Sequence, residues 1–130
     1  MLESIAVPIE SAIRCSALVV THNLTKVQLS GTIGYIEGTI TFVDNSRLVF
    51  FEFLRQTGDG VQREKYRYHF MDGNGQLIFR YDNASHHPEV ATFPDHKHLP
   101  TGLAESVALH FVDVLAEIEA YVLGVTALGA

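Results

Sequence analysis

The sequence has little cysteine, no low-complexity run and fewer positive than negative charges. Cys15 is the one cysteine among 130 residues, so the chain cannot form an internal disulfide, which fits a reducing compartment. A content of 47% hydrophobic and 18% charged residues is typical of a globular chain and excludes a disordered one. At this length we predict a single domain over residues 1–130.

The sequence also lacks the patterns typical of a secretory signal and of a membrane-spanning segment. The N-terminal stretch "MLESIAVPIESAIRC" carries acids where a secretory signal carries lysines, and it lacks an unbroken apolar core. The apolar run "AYVLGVTALGA" is too short and too interrupted by glycine to cross a bilayer. We therefore expect a cytoplasmic protein without a membrane partner.

The formal net charge of −6 argues against nucleic-acid binding by the chain as a whole, because such binding depends on Lys and Arg at phosphates. The charges are, however, unevenly distributed. Residues 63–98 hold five basic residues, five acids and five histidines, which leaves four basic residues against ten acids elsewhere. Within this window, "RYDNASHHPEVATFPDHKH" contains four of the seven histidines, so one segment is the candidate site.

Residue periodicity predicts an α+β fold, with an antiparallel sheet of four to five strands packed by an N-terminal and a C-terminal helix. Proline at a first helical position predicts the first helix from Pro8 to about Val20. An apolar stripe with capping residues predicts the second from Thr101 to Gly124. Between them, β-branched and aromatic residues predict one long strand from Thr25, which forms a hairpin with "RLVFFEFLR", and then a second hairpin.

The hairpin formed by "YRYHF" and "QLIFRYD" has one aromatic and one polar face. A turn centred on Gly73 and Asn74 places Arg67 directly opposite Arg80. Facing arginines repel each other unless an anion lies between them, so this face is either a solvated surface or a phosphate fork. Side-chain alternation gives the polar face six residues: Lys65, Arg67, His69, Ile78, Arg80 and Asp82.

The segment "NASHHPEVATFPDHKHLP", residues 83–100, contains three prolines and no helical stripe, which predicts an ordered loop returning over the polar face. A metal-free nuclease is one interpretation. Histidines would transfer protons as a ribose 2′-hydroxyl attacks phosphorus, and cations would hold the phosphate. In this interpretation His69 acts with His96 or His98, Asp82 orients an arginine or a histidine, and the phosphate or substrate contacts come from Arg67, Arg80, Lys97, His86 and His87.

Two other interpretations of the same residues stay open. The first is a divalent metal site whose ligands are His86, His96, His98 and Asp82, without the cysteines or helical spacing typical of many metal sites. The second is a structural cluster in which the histidines bond loop carbonyls.

The segment Tyr66–His98 resembles the TumE-like toxins of prokaryotic toxin–antitoxin modules. The similar blocks are "YxYH", "FRYDNAPHHP" and "TFPxHKH", and Ser85 departs from the proline of that pattern. The resemblance implies a growth-inhibiting toxin neutralised by a cognate antitoxin, commonly a helix-turn-helix protein, and ribonuclease activity is the usual expectation for such toxins.

We therefore expect a metal-independent endoribonuclease that needs no cofactor and acts on RNA. The alternatives are a metal-dependent hydrolase or nuclease and a non-catalytic regulatory protein that docks a partner through its histidine face. Because a small sheet leaves edges that need cover, a homodimer is also an expectation.

Overall fold

The computed structural model describes residues 1–124 and contains, within them, two helices and seven strands. The helices are α1 (Glu3–Cys15) and α2 (Phe111–Val122). The strands are β1 (Val19–Gln28), β2 (Ile33–Phe42), β3 (Arg47–Thr57), β4 (Gly60–Met71), β5 (Leu77–Asp82), β6 (His96–Leu99) and β7 (Gly102–Glu105). They form one antiparallel sheet in chain order, so β1 and β7 are its edges.

The predicted α+β class is confirmed, but the predicted number of four to five strands is wrong. The expected single long strand is the hairpin of β1 and β2, which turns because the N–H groups of Leu29 and Ser30 both reach the carbonyl of Ile33. The strands β6 and β7 lie where the sequence predicted the loop and the start of the last helix. They are only four residues each, too short to give a strong periodic signal.

Both helices depart from their predicted bounds. Pro8 lies inside α1 and not at its first position. The helix α2 starts at Phe111 and not at Thr101. Its first turn is capped by the carboxylate of Asp113, which accepts a hydrogen bond of 3.0 Å from the N–H of His110. Gly124 ends α2 as predicted, with a φ of +71° and its N–H donated to the carbonyl of Tyr121. In residues 1–124, neither helix is long and apolar enough to span a bilayer.

The helices pack on one face of the sheet. Buried residues of α1 such as Ile9, and of α2 such as Val114, belong to one core cluster with the buried side chains of the strands. As alternation predicted, the face of β4 and β5 that joins this core carries Tyr66, Tyr68, Phe70, Phe79 and Tyr81. The other face, here called the open face, is left to the loop 83–95 and to solvent.

A buried polar chain links the sheet to the segment that precedes α2. The carboxylate of Glu52 accepts a hydrogen bond of 2.8 Å from the hydroxyl of Tyr68. Arg63 donates to that hydroxyl oxygen and to the carbonyl of Leu109, each at 2.7 Å. Burial and then the charge of Glu52 raise the pKa of Tyr68, so the hydroxyl stays a donor.

We expect Tyr68→Phe to lower the free energy of unfolding by about 1–3 kcal/mol, because it leaves the buried Glu52 carboxylate without this donor. Urea unfolding measures the effect. Tyr121→Phe, at an exposed tyrosine of α2, is the matched control and should unfold like the wild type. Equal unfolding midpoints for the two variants would contradict this account of the polar chain.

Candidate active site on the open face of the sheet

Strand pairing aligns polar side chains in two rows across the open face. The first row, from β3 to β6, contains Phe51, Arg67, Asp82 and His96. The second row, parallel to it, contains Val49, His69, Arg80 and His98. The sheet therefore collects arginines, imidazoles and a carboxylate from three separate stretches of the chain.

Arg67 faces Asp82, so the prediction that it faces Arg80 is wrong. The turn between β4 and β5 is longer than predicted because the side chain of Asp72 accepts two backbone N–H bonds, and a bulge follows Phe70. The resulting shift of two residues leaves the side chains of residues 66–70 and 79–82 on their predicted faces. Past the bulge the shift is one residue, so Leu77 pairs with Met71 and Ile78 packs against the core, and the predicted faces of these two residues are wrong. The argument from facing arginines no longer holds, but both arginines remain on the open face.

The carboxylate of Asp82 is the centre of the site, and the residue is only 4% exposed. Its Oδ1 lies 2.8 Å from Nε2 of His96 and accepts the N–H of Ala84 at 3.0 Å. Its Oδ2 accepts a bond of 3.1 Å from Nε of Arg80 and lies 3.3 Å from Nε2 of His98. One buried carboxylate thus orients the loop, an arginine and two imidazoles.

The imidazole of His96 is enclosed, with 1% of the residue exposed. Its Nδ1 lies 2.8 Å from the carbonyl oxygen of Pro94, and its Nε2 faces Asp82. Both ring nitrogens therefore face oxygen atoms, and Nε2 also lies against Nε2 of His98. Burial keeps a substrate from touching His96, so in a metal-free site this residue orients its neighbours.

Three histidines converge beside this carboxylate. The metal-competent nitrogens of His87, His96 and His98, here called the imidazole cluster, lie within 4.8 Å of one another. Nε2 of His96 is 3.0 Å from Nε2 of His98. The metal set expected from the sequence named His86, but the structure places His87 in the cluster and His86 in a neighbouring groove.

This groove has a volume of about 340 Å³ and lies between β4, β5 and the start of the loop. Its cationic and imidazole lining comes from Lys65, Arg67, Arg80 and His86. Within residues 1–124, Arg67 makes no ion pair, whereas Arg80 is shared with Asp82. The groove therefore offers an anion at least one guanidinium that no protein carboxylate occupies.

The two imidazoles on either side of Arg80 favour their neutral form. Burial, followed by the charges of Arg80 and Arg67, lowers the pKa of His69, whose Nδ1 is buried without a partner among the described residues. Burial also lowers the pKa of His98, although the charge of Asp82 opposes the shift. Neutral imidazole can accept a proton or bind a metal ion.

Lys97 lies away from the groove, contrary to its predicted place with the phosphate contacts. In β6 it alternates with its two histidine neighbours, so it points to the helix-covered face. There its Nζ lies 2.9 Å from a carboxylate oxygen of Glu117 and 4.8 Å from the ring centroid of Tyr81. Lys65, which the sequence placed only on the polar face, contributes the lysine of the groove.

The loop that carries His86 and His87 is tied to β4 at both ends. After β5, the amide of Asn83 accepts the N–H of Tyr66 at 3.0 Å and donates to the carbonyl of Glu64 at 2.9 Å. Before β6, Asp95 accepts a bond of 2.7 Å from the hydroxyl of Tyr66. These side chains were not predicted to support the site, and no local pattern points to contacts so distant in sequence.

The lowered pKa of His69 predicts a pH-dependent stability. The folded protein holds this proton less tightly than the unfolded chain, so acidification below about pH 6.5 favours unfolding. His69→Gln should reduce the loss of stability between about pH 7 and pH 5, measured by urea unfolding. His22→Gln, at an exposed histidine of β1, should leave that loss unchanged, and an equal effect of both variants would refute the prediction.

Comparison with known proteins adds a family to this geometry. Neither the search of curated proteins nor the search of solved structures gave a match. A family model described as Toxin TumE matches residues 9–122, which include both rows, the groove and the imidazole cluster. The chain therefore belongs to the TumE toxin family.

Proposed function

We propose that this toxin cleaves RNA without a metal ion, by proton transfer at His98 and His69 around a phosphate held by Arg67 and Arg80. The observation that carries the proposal is the position of the two lowered-pKa imidazoles on either side of Arg80, which itself lines the groove. Membership of a toxin family supports growth inhibition as the outcome and implies a cognate antitoxin as partner.

The phosphate contacts follow from the charges of the groove. Among residues 1–124 no carboxylate pairs with Arg67, so its guanidinium is available for two parallel bonds to phosphate oxygens. Arg80 keeps one edge on Asp82 through Nε and has its remaining N–H groups for the anion. Fixed cations stabilise the charge that develops on the phosphate oxygens in the transition state.

The assignment of base and acid follows from the contacts of the imidazole nitrogens. Nε2 of His98 lies against Asp82 and His96, so a proton held there leaves the lone pair of Nδ1 free to accept the 2′-hydroxyl proton. The 2′-oxygen then attacks phosphorus, and the bond to the 5′-oxygen breaks. Burial and the repulsion by Arg80 and Arg67 lower the pKa of His69, and a bound phosphate offsets the repulsion. His69 therefore takes up a proton from solvent when the substrate binds and gives it to the leaving 5′-oxygen. The products are a 2′,3′-cyclic phosphate and a 5′-hydroxyl.

Arg67→Ala should lower the rate of cleavage by about 100-fold or more, because it removes a cation from the transition state without breaking an ion pair of the described chain. The measurement is cleavage of a single-stranded RNA in the presence of a chelator, with the ends of the products identified. Arg47→Ala, an exposed arginine at the far end of β3, is the matched control and should retain activity.

Lys97→Met provides a second comparison, since this lysine lies on the other face and should be dispensable for cleavage. Wild-type rates for Arg67→Ala, or a loss for Lys97→Met as large as that for Arg67→Ala, would refute the proposed phosphate site. No cleavage by the wild type together with tight antitoxin binding would favour the non-catalytic alternative.

The imidazole cluster favours a second candidate, a metal-dependent nuclease. Its three nitrogens converge within 4.8 Å. A cation bound at Nε2 of His96 would balance the negative charge of the facing Asp82 carboxylate. The Pro94 carbonyl fixes the other nitrogen of His96, as outer partners of metal-bound histidines do. Three histidines with one open position suit Zn²⁺, which would polarise a phosphoryl oxygen.

Substitution of the adjacent residues His86 and His87 distinguishes the metal-dependent candidate from the metal-independent one. If the cluster binds metal, His87→Ala should weaken Zn²⁺ binding by at least about 10-fold, measured by calorimetry, and His86→Ala should not. Cleavage that continues in the presence of a chelator and is unchanged by His87→Ala would rule out the metal-dependent candidate. Cleavage that the chelator abolishes, and that added metal restores, would replace that route with the metal-dependent one.

A further inference from the structure

Aromatic side chains extend the open face beyond the groove. The ring centroids of Tyr35 and Phe51 lie 5.5 Å apart with their planes at 32°, and Phe53 pairs directly with Tyr35 across β2 and β3. These three residues, here called the aromatic patch, are partly exposed. The aromatic residues of the helix-covered face are buried in the core, whereas those of the patch do not pack against α1 or α2.

The patch is continuous with the cations of the groove. Phe51 pairs with Arg67, and the guanidinium carbon of Arg67 lies 5.7 Å from the centroid of the Phe51 ring. Phe53 pairs with Lys65, and Phe51 itself lines the groove. Adjacent strands are about 4.8 Å apart, so an exposed ring lies one strand away from the guanidinium available to an anion.

Charge determines how a ligand would lie across these strands. Glu37, exposed on β2, pairs with the other side of Phe51 and repels an anion that approaches from there. A ligand therefore keeps its anionic part over β4 and β5 and can place a flat, uncharged part over β3. Unpaired nucleotides have this form, with a phosphate joined to a base that stacks on aromatic rings.

We propose that Phe51, supported by Tyr35, is a base-stacking subsite for the nucleotide next to the phosphate held by Arg67 and Arg80. This inference rests on the proposed ribonuclease function and adds its substrate class, which is unpaired RNA. In a duplex the bases are stacked on each other and cannot present a face to the ring. Phe51 contributes to binding and to the choice of substrate and takes no part in proton transfer.

The first test is binding of a short single-stranded RNA that carries 2′-O-methyl groups and so cannot be cleaved through its 2′-hydroxyl. Phe51→Leu keeps an apolar side chain but removes the π face, and should weaken binding by about 5- to 150-fold in fluorescence anisotropy. Phe51→Trp should retain wild-type affinity because it restores a stacking surface. Phe93→Leu, at an exposed aromatic of the loop, is the control and should have no effect.

The second test removes the base in place of the ring. A single abasic nucleotide, moved along the oligonucleotide, should cause the same loss at one position beside the bound phosphate. Combined with Phe51→Leu, that abasic site should cause no additional loss, since both changes remove one interaction. Losses that simply add at every position would overturn the stacking subsite.

The outcomes separate this inference from the proposed function. If the wild type cleaves RNA and Phe51→Leu binds and cleaves equally well, the subsite alone is refuted. If the wild type neither binds nor cleaves RNA, both proposals fail. If Phe51→Leu and Tyr35→Leu weaken only the complex with the antitoxin, the aromatic patch is a protein-docking surface and the subsite is again refuted.

Discussion

The burial of one carboxylate determines the arrangement of the open face. A buried carboxylate is costly unless donors surround it, and Asp82 is surrounded by Arg80, two imidazole nitrogens and the N–H of Ala84. Each of these groups is held in one orientation because the carboxylate needs it. The folding requirement to satisfy Asp82 and the chemical requirement to position His98 are therefore met by the same contacts.

The order of the strands explains how a short chain forms this surface. In an antiparallel meander each strand lies beside its neighbours in sequence, so an alternating pattern continues across the sheet from β3 to β6. Only β6 has to be brought back after a long loop, and Asn83 and Asp95 tie that loop to β4. Under the proposed function, these supporting side chains would hold the reacting groups in position.

Under the proposed function, the distribution of charge limits where a phosphate backbone can bind. All of the net charge of −6 lies outside residues 63–98, so most of the surface repels a phosphate backbone. The groove places Lys65, Arg67 and Arg80 together, beside an aromatic patch bounded by Glu37. A toxin with these charges would avoid bulk nucleic acid and engage a short, unpaired segment at one place.

Alternation in the sequence was enough to predict the two faces for residues 66–70 and 79–82, because a shift of two residues in register does not change which side a residue occupies. It failed at Leu77 and Ile78, where the bulge changes the register by one residue. It could not predict the opposite partner of Arg67, which depends on the Asp72 turn and the bulge after Phe70. Reading "HKH" as a strand would have separated Lys97 from its neighbouring histidines, but the surrounding prolines favoured a loop. Whether His86 or His87 joins the cluster depends on a loop without periodicity, so only the structure decides it.

The central claim is that Asp82 organises an RNA-cleaving centre, and Asp82→Asn tests it most directly because the substitution keeps the shape and removes the charge. The measurement is the initial rate of cleavage of a single-stranded RNA by folded wild-type and variant proteins. The account predicts that the variant folds and loses about 100-fold or more in rate, since Arg80 and His98 lose the charge that orients them. A folded variant that cleaves RNA at the wild-type rate would contradict it.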